Sequence, residues 1–165
     1  MLTELTWSAP KDFLTLSSAL TGFTTADLQG TGLVDIYYNQ TLDVIGSRIT
    51  GILLLKWSAI RTEAGTFDPL DAKFKPRIQK DIFDDPLVGP VARNVLLMWY
   101  TGNWYQMPGE WRQNYGASAG DQPHVVSAKA YQEGLMWRAI AAHPPAAKSP
   151  GFGSWAEPPK SPYEV

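Results

Sequence analysis

The stretch Gly89-Pro90-Val91-Ala92-Arg93-Asn94-Val95-Leu96-Leu97-Met98-Trp99-Tyr100-Thr101-Gly102 decides the fold class. Proline suits a first helical turn, where its missing N–H would be unpaired anyway. Glycine suits a helix stop. Between them, Val91, Ala92, Val95, Leu96, Leu97, Met98, Trp99 and Tyr100 make the segment apolar nearly all round. Such a helix is expected at the centre of a domain, covered on several sides.

Upstream, residues 47–64 read as a second buried helix, with Ile49, Ile52, Leu53, Leu55, Trp57 and Ile60 on more than one face. Leu33, Ile36, Tyr37 and Val44 have helical spacing up to Gly46. Ser8, Pro10 and Asp12 open a first helix carrying Phe13, Leu16 and Leu20, and Gly22 closes it. Thr25 and Asp27 are plausible caps of a short turn. Residues 70–83 suit a short amphipathic helix interrupted at Pro76.

Downstream, residues 103–126 read as a loop punctuated by Pro108, Gly109, Gly116, Gly120 and Pro123, with Trp104, Tyr105, Trp111 and Tyr115 between them. Ser127 can cap a last helix through Tyr131, Leu135 and Met136. The many prolines from Pro144 onward preclude a regular helix or a central strand. The expected architecture is all-α: one helical domain over 1–143, with a long aromatic-rich loop, and an extended Pro-rich tail over 144–165.

Length and composition agree with a single domain. The 165 residues are 44% hydrophobic but only 18% charged, with seven Trp, seven Tyr and six Phe. A typical charged share is about 25%. Aromatic surface of this amount implies cover, by the chain's own core or by a partner. A net charge of −2 without a basic block argues against a nucleic-acid binder. The chain has no cysteine, which excludes disulfides, thiolate zinc sites, iron–sulfur ligation and Cys nucleophiles within it. The most apolar stretch, 49–60, is shorter than the roughly 20 residues of a spanning helix and carries Lys56. No transmembrane segment is expected. Met1-Leu2-Thr3-Glu4-Leu5-Thr6 shows no basic region, apolar signal core or twin arginine. No export signal is visible in the chain.

Catalytic patterns are weak. His124 and His143 lack metalloprotease spacing, and ordinary hydrogen bonds are the expected role of each. Asp81, Asp84 and Asp85 could do acid–base work or hold Ca²⁺, but beside a Pro-started helix capping is the stronger reading. Gly30-Thr31-Gly32 lacks the third glycine of a dinucleotide fingerprint. Ser17 and Ser18 lack a nucleophile-elbow pattern. The chain is therefore expected to be no enzyme, with no catalytic residue, metal or cofactor of its own.

The aromatics carry more information. Trp99 and Tyr100 suit core packing. Loop aromatics at Trp104, Tyr105 and Trp111 suit either sugar stacking or a protein interface, and Phe152 and Trp155 in the tail suit an interface. Candidate partner-binding residues are accordingly Trp104, Tyr105, Trp111, Phe152 and Trp155. The alternative is a carbohydrate-binding module that uses the three loop aromatics.

Four stretches then resemble one family. Phe13-Leu14-Thr15-Leu16-Ser17-Ser18-Ala19-Leu20-Thr21-Gly22-Phe23 resembles the opening motif of small subunits of bacterial membrane-bound FAD-dependent sugar and polyol dehydrogenase complexes, those of sorbitol, fructose and glucose. Asp84-Asp85-Pro86-Leu87, followed by 95–102 with Trp99-Tyr100-Thr101-Gly102, is similar to their second motif. Tyr131-Gln132-Glu133-Gly134-Leu135-Met136-Trp137 is similar to a third, and Pro150-Gly151-Phe152-Gly153-Ser154-Trp155-Ala156-Glu157-Pro158-Pro159 to the C-terminal tail.

The resemblance implies a non-catalytic helical subunit bound to a large glucose-methanol-choline-type flavoprotein. The flavoprotein would hold FAD and oxidise the sugar, sorbitol-type by preference. A multihaem cytochrome c subunit would pass electrons to quinone. The small subunit would support folding, maturation and export of its partner, in the periplasm and associated with the inner membrane through the complex. Two features depart from the family pattern: the absence of a twin-arginine leader in this chain, and a longer, more aromatic segment 103–126.

Overall fold

A computed structural model describes residues 9–65, 68–145 and 147. The described chain is mostly helical. Helix α1 (Ala9–Thr21) leads into α2 (Thr25–Gly30), α3 (Val34–Ile45) and α4 (Ser47–Ala64). A short α5 (Phe74–Arg77) runs directly into a π-helical turn, π1 (Ile78–Phe83). Helix α6 (Gly89–Thr101) follows. Strand β1 (Asn103–Trp104), α7 (Gly109–Tyr115), β2 (His124–Val125), α8 (Ala128–Gln132) and α9 (Leu135–Ala139) complete the order.

Helix α1 packs on α2, α3, α4 and α6, while α3 touches both α4 and α6. The π1 turn joins the other ends by packing on α4 and α6. Phe13 and Leu16 from α1, Tyr37 from α3, Leu53 and Trp57 from α4, and Val95, Met98 and Trp99 from α6 are buried. Two edge-on ring contacts tie the layers: Tyr37 to Trp99 at 4.7 Å and Trp57 to Phe74 at 5.1 Å. Each such side chain stabilises the fold by about 1.5–3 kcal/mol through burial. The indole of Trp57 donates to Thr15 Oγ1 at 2.9 Å, so its polar edge is paired across α1 and α4.

Several local expectations hold, and others need correction. Helix α4 spans the residues expected of it. The short helix after Gly22 is capped by Thr24 rather than Thr25, with Asp27 closing a reciprocal capping box. Pro76 does not interrupt its helix: it is the third residue of α5, where no intrahelical N–H bond is required of it. The chain continues by widening into π1, whose Asp84 N–H reaches Gln79 O at 2.9 Å. Helix α6 is not covered all round: Arg93 and Leu97 form a stripe on the solvent side.

The largest correction concerns 103–126, expected as a loop. It contains β1, α7 and β2. The strands pair antiparallel, with Asn103 opposite Val125 and Trp104 opposite His124. Ser127 caps as expected, its Oγ accepting from Ala130 N at 3.0 Å. The final helix, however, is two short helices, broken at Gly134.

Candidate partner-binding site

The sequence candidates fall into three structural situations. Trp104 is 0% and Trp111 4% exposed, so both rings belong to the chain's own core. Tyr105 is 38% exposed and presents surface. Phe152 and Trp155 lie outside the described residues. Trp104 and Trp111 are therefore not stacking platforms, contrary to the expectation for loop aromatics. The reason is a set of polar anchors that turn the segment inward.

Asp121, 1% exposed, is the main anchor. Its Oδ1 accepts from Trp104 Nε1 and from Met107 N, each at 3.0 Å, and its Oδ2 faces Arg112 Nε at 3.0 Å. Two hydrogen bonds and one ion pair around the buried carboxylate make its burial tolerable. Asn94 on α6 is the second anchor. Its amide donates to Tyr105 O and accepts from Tyr105 N at 3.2 Å, completing both backbone bonds of that residue. Trp111 Nε1 donates to Leu87 O at 2.8 Å, in the turn before α6. Sequence reading missed Asp121 and Asn94. The signal available for Asp121 was an acidic residue between Gly116 and Pro123 in an aromatic-rich stretch.

A different set of residues comes together at the C-terminal end of α6. Tyr100 OH donates to Thr21 O at 2.9 Å, and its ring meets Phe23 edge-on at 6.2 Å. Ser18 Oγ donates to Phe23 O at 2.6 Å, fixing the turn after α1. Arg138 on α9 lies 5.4 Å over the Phe23 ring and pairs with Asp27 at 2.9 Å. The Thr24 hydroxyl bond and then Arg138 lower the Asp27 pKa. Glycine is required at two contacts here. Gly102 has φ +74, and a Cβ on it would stand 2.5 Å from Ala130 O. A Cβ on Gly134 would stand 2.9 Å from Tyr100 O. Tyr131 and Trp137 form an edge pair at 5.8 Å beside them.

The acidic turn before α6 serves structure. Asp85 Oδ1 accepts from Leu87 N at 2.8 Å and Val88 N at 3.0 Å, and its other oxygen pairs with Lys56 Nζ at 2.9 Å. Burial alone would raise the Asp85 pKa, but Lys56 and the Val88 and Leu87 amides together lower it. Asp84 accepts from Gln79, and Asp81 pairs with Arg77. His124 Nδ1 lies 2.7 Å from Gln122 O.

An open cleft of about 650 Å³ lies between α1, α2 and α3, walled by Lys11, Leu14, Gln29, Val34 and Asp35. A smaller recess of about 150 Å³ lies between Glu133, Trp137, Arg138, His143 and Pro144. Among the described residues, no group of three or more His, Cys, Asp or Glu could hold a metal ion. Among them also, no helix is long and apolar enough to cross a membrane.

Compared with protein-family models, curated proteins and solved structures, the chain matches none. What the fold defines is a helical domain with a minimal two-stranded ribbon.

Proposed function

We propose that this chain is a non-catalytic accessory subunit of an FAD-dependent sugar or polyol dehydrogenase of the sorbitol type. It binds and stabilises the FAD-containing large subunit and aids its maturation or export. FAD and the oxidation of the substrate CH–OH group belong to that partner. A multihaem cytochrome c completes the complex, and the assembly works in the periplasm at the inner membrane.

One observation carries the reading. Three of the four stretches that resemble the small-subunit family lie far apart in the sequence and meet at one place. Phe23 from the first, Tyr100 and Gly102 from the second, and Gly134 from the third share hydrogen bonds, ring contacts or backbone approaches below van der Waals distance for any added Cβ. The three stretches therefore serve one packing arrangement, as the resemblance to a single family would have it. Burial of Trp104 and Trp111 weighs against the carbohydrate-binding alternative, which loses two of its three platforms.

We propose further that the fourth stretch, in the tail, holds the large subunit as a clasp. Proline biases it toward extended conformations and lowers the ordering cost on binding, and Phe152 and Trp155 are its anchors. Purification from the native host tests the proposal. Co-elution of a stoichiometric flavoprotein is expected. A free monomer that retains a sugar ligand would overturn it.

A further inference from the structure

We infer that residues 127–145 form a strap that opens from α6 as a unit while the helical bundle stays folded. The inference goes beyond the proposed function and stands without it.

The strap and the bundle are attached differently. Of residues 127–145, Ala130, Gly134, Leu135 and Pro144 are buried and the rest reach solvent to some degree. In α1, by contrast, the six consecutive residues 13–18 are all buried. The strap holds little apolar area, and the stability of a segment against local opening follows that area.

Its attachments are short-range and partly exposed. Arg138 reaches across to Asp27, with side chains 53% and 33% exposed, and covers Phe23. Pairs of this kind contribute little individually and are screened by salt. Ala130 and Leu135 enter the core, the backbone of α8 lies against Gly102, and Gly134 lies against the carbonyl of Tyr100. These fits need close approach and vanish on a small displacement. Ala141, just past α9, has φ +53, the left-handed region that disfavours a residue with a Cβ. Opening bares the last turn of α6 and the ring of Phe23, and carries the third sequence stretch away from the first two.

Native-state hydrogen exchange on the full chain tests this. Tyr131, Glu133, Ile140 and Ala142 each donate their N–H to a carbonyl within the strap, in or beside helices of five residues that do not persist once detached from α6, so these amides report detachment. They are expected to exchange through an opening with weak denaturant dependence, well ahead of amides in α1, α4 and α6. Arg138→Ala should speed the reporters by on the order of fivefold and leave α4 unchanged. Gly134→Ala should speed them further, because its Cβ meets the Tyr100 carbonyl. Added salt should act on the wild type as Arg138→Ala does. Strap amides that exchange in step with α6 at every denaturant concentration would overturn the inference. So would a Gly134→Ala variant with wild-type strap rates, or an Arg138→Ala variant that speeds α4 equally.

Discussion

The four-helix core and the excursion over 103–126 both bury tryptophan, and they do so by opposite means. Trp57 and Trp99 sit on long helices whose apolar faces have no other place to go. Trp104 and Trp111 sit on a two-residue strand and a seven-residue helix, elements too short to direct burial by periodicity. They are drawn in by hydrogen bonds donated to Asp121, Asn94 and the carbonyl of Leu87. In the core, apolar pattern creates the structure and polar groups adjust to it. In the excursion, a few polar anchors create the structure, and apolar burial follows.

The strongest break of the core is Val95→Asp. Val95 is fully buried in α6, and an unpaired charge there should abolish the fold. Circular dichroism should show no cooperative melting transition. Leu96→Asp, one position on at a half-buried site, should destabilise the fold by less. Comparable melts for the two would mean that the buried face of α6 is misassigned.

The matching break of the excursion is Asp121→Ala. The substitution leaves two buried donors, Trp104 Nε1 and Met107 N, without an acceptor, at about 1–3 kcal/mol each. The loss should fall on the excursion first, because Trp104 Nε1, Met107 N and Arg112 lose their shared acceptor together. Near-ultraviolet circular dichroism should change while far-ultraviolet helicity is largely retained. Equal loss of both signals would merge the two regions into one cooperative unit.

Next in size is an effect on assembly. Trp155→Ala should leave the helical domain folded and weaken binding to the large subunit about thirtyfold, since truncating a buried Trp anchor costs about 2 kcal/mol. Calorimetric titration of the variant against the large subunit measures it. A lowered melting temperature of the lone chain with unchanged affinity would place the tail on the domain's own surface.

The smallest effect is pH dependence. The pKa values of Asp85 and Asp27 are both lowered in the folded chain. A carboxylate with a lowered folded pKa binds fewer protons folded than unfolded. Its stabilising contribution is therefore full above the unfolded value near about 3.9 and is lost as pH falls through the folded value. Urea midpoints should fall modestly between about pH 5 and about pH 2. The effect is small because both groups are reached by solvent. Lys56→Ala should flatten the part due to Asp85, a core-side group, and leave the part due to Asp27. An unchanged slope would mean that the Lys56 pair has no hold on Asp85.

The same contrast explains what the sequence made legible. Helices α1, α3, α4 and α6 could be read because their apolar residues recur at helical spacing between Gly and Pro stops. The excursion could not, because Asp121 is paired with residues 9 to 17 positions away and Asn94 with one 11 away. No local pattern marks such pairs. Proline and glycine were read as loop punctuation there, yet Pro108 and Gly109 begin α7. Trp104 and Trp111 read as surface aromatics because whether a loop aromatic faces inward depends on its anchor. At Pro76, the rule that proline breaks helices met the exception at the first turn. The meeting of Phe23, Tyr100 and Gly134 was not visible from any one stretch, since each motif supplies only one side of the contact.

Sedimentation of this chain mixed with the flavoprotein large subunit that the proposal requires, followed in the flavin absorption band, tests the accessory role most directly. The account predicts that the flavin boundary shifts to a faster species carrying one flavin per pair of subunits, while this chain alone gives no signal in that band. A flavin boundary unmoved by saturating chain, or flavin absorbance from the chain by itself, would contradict it.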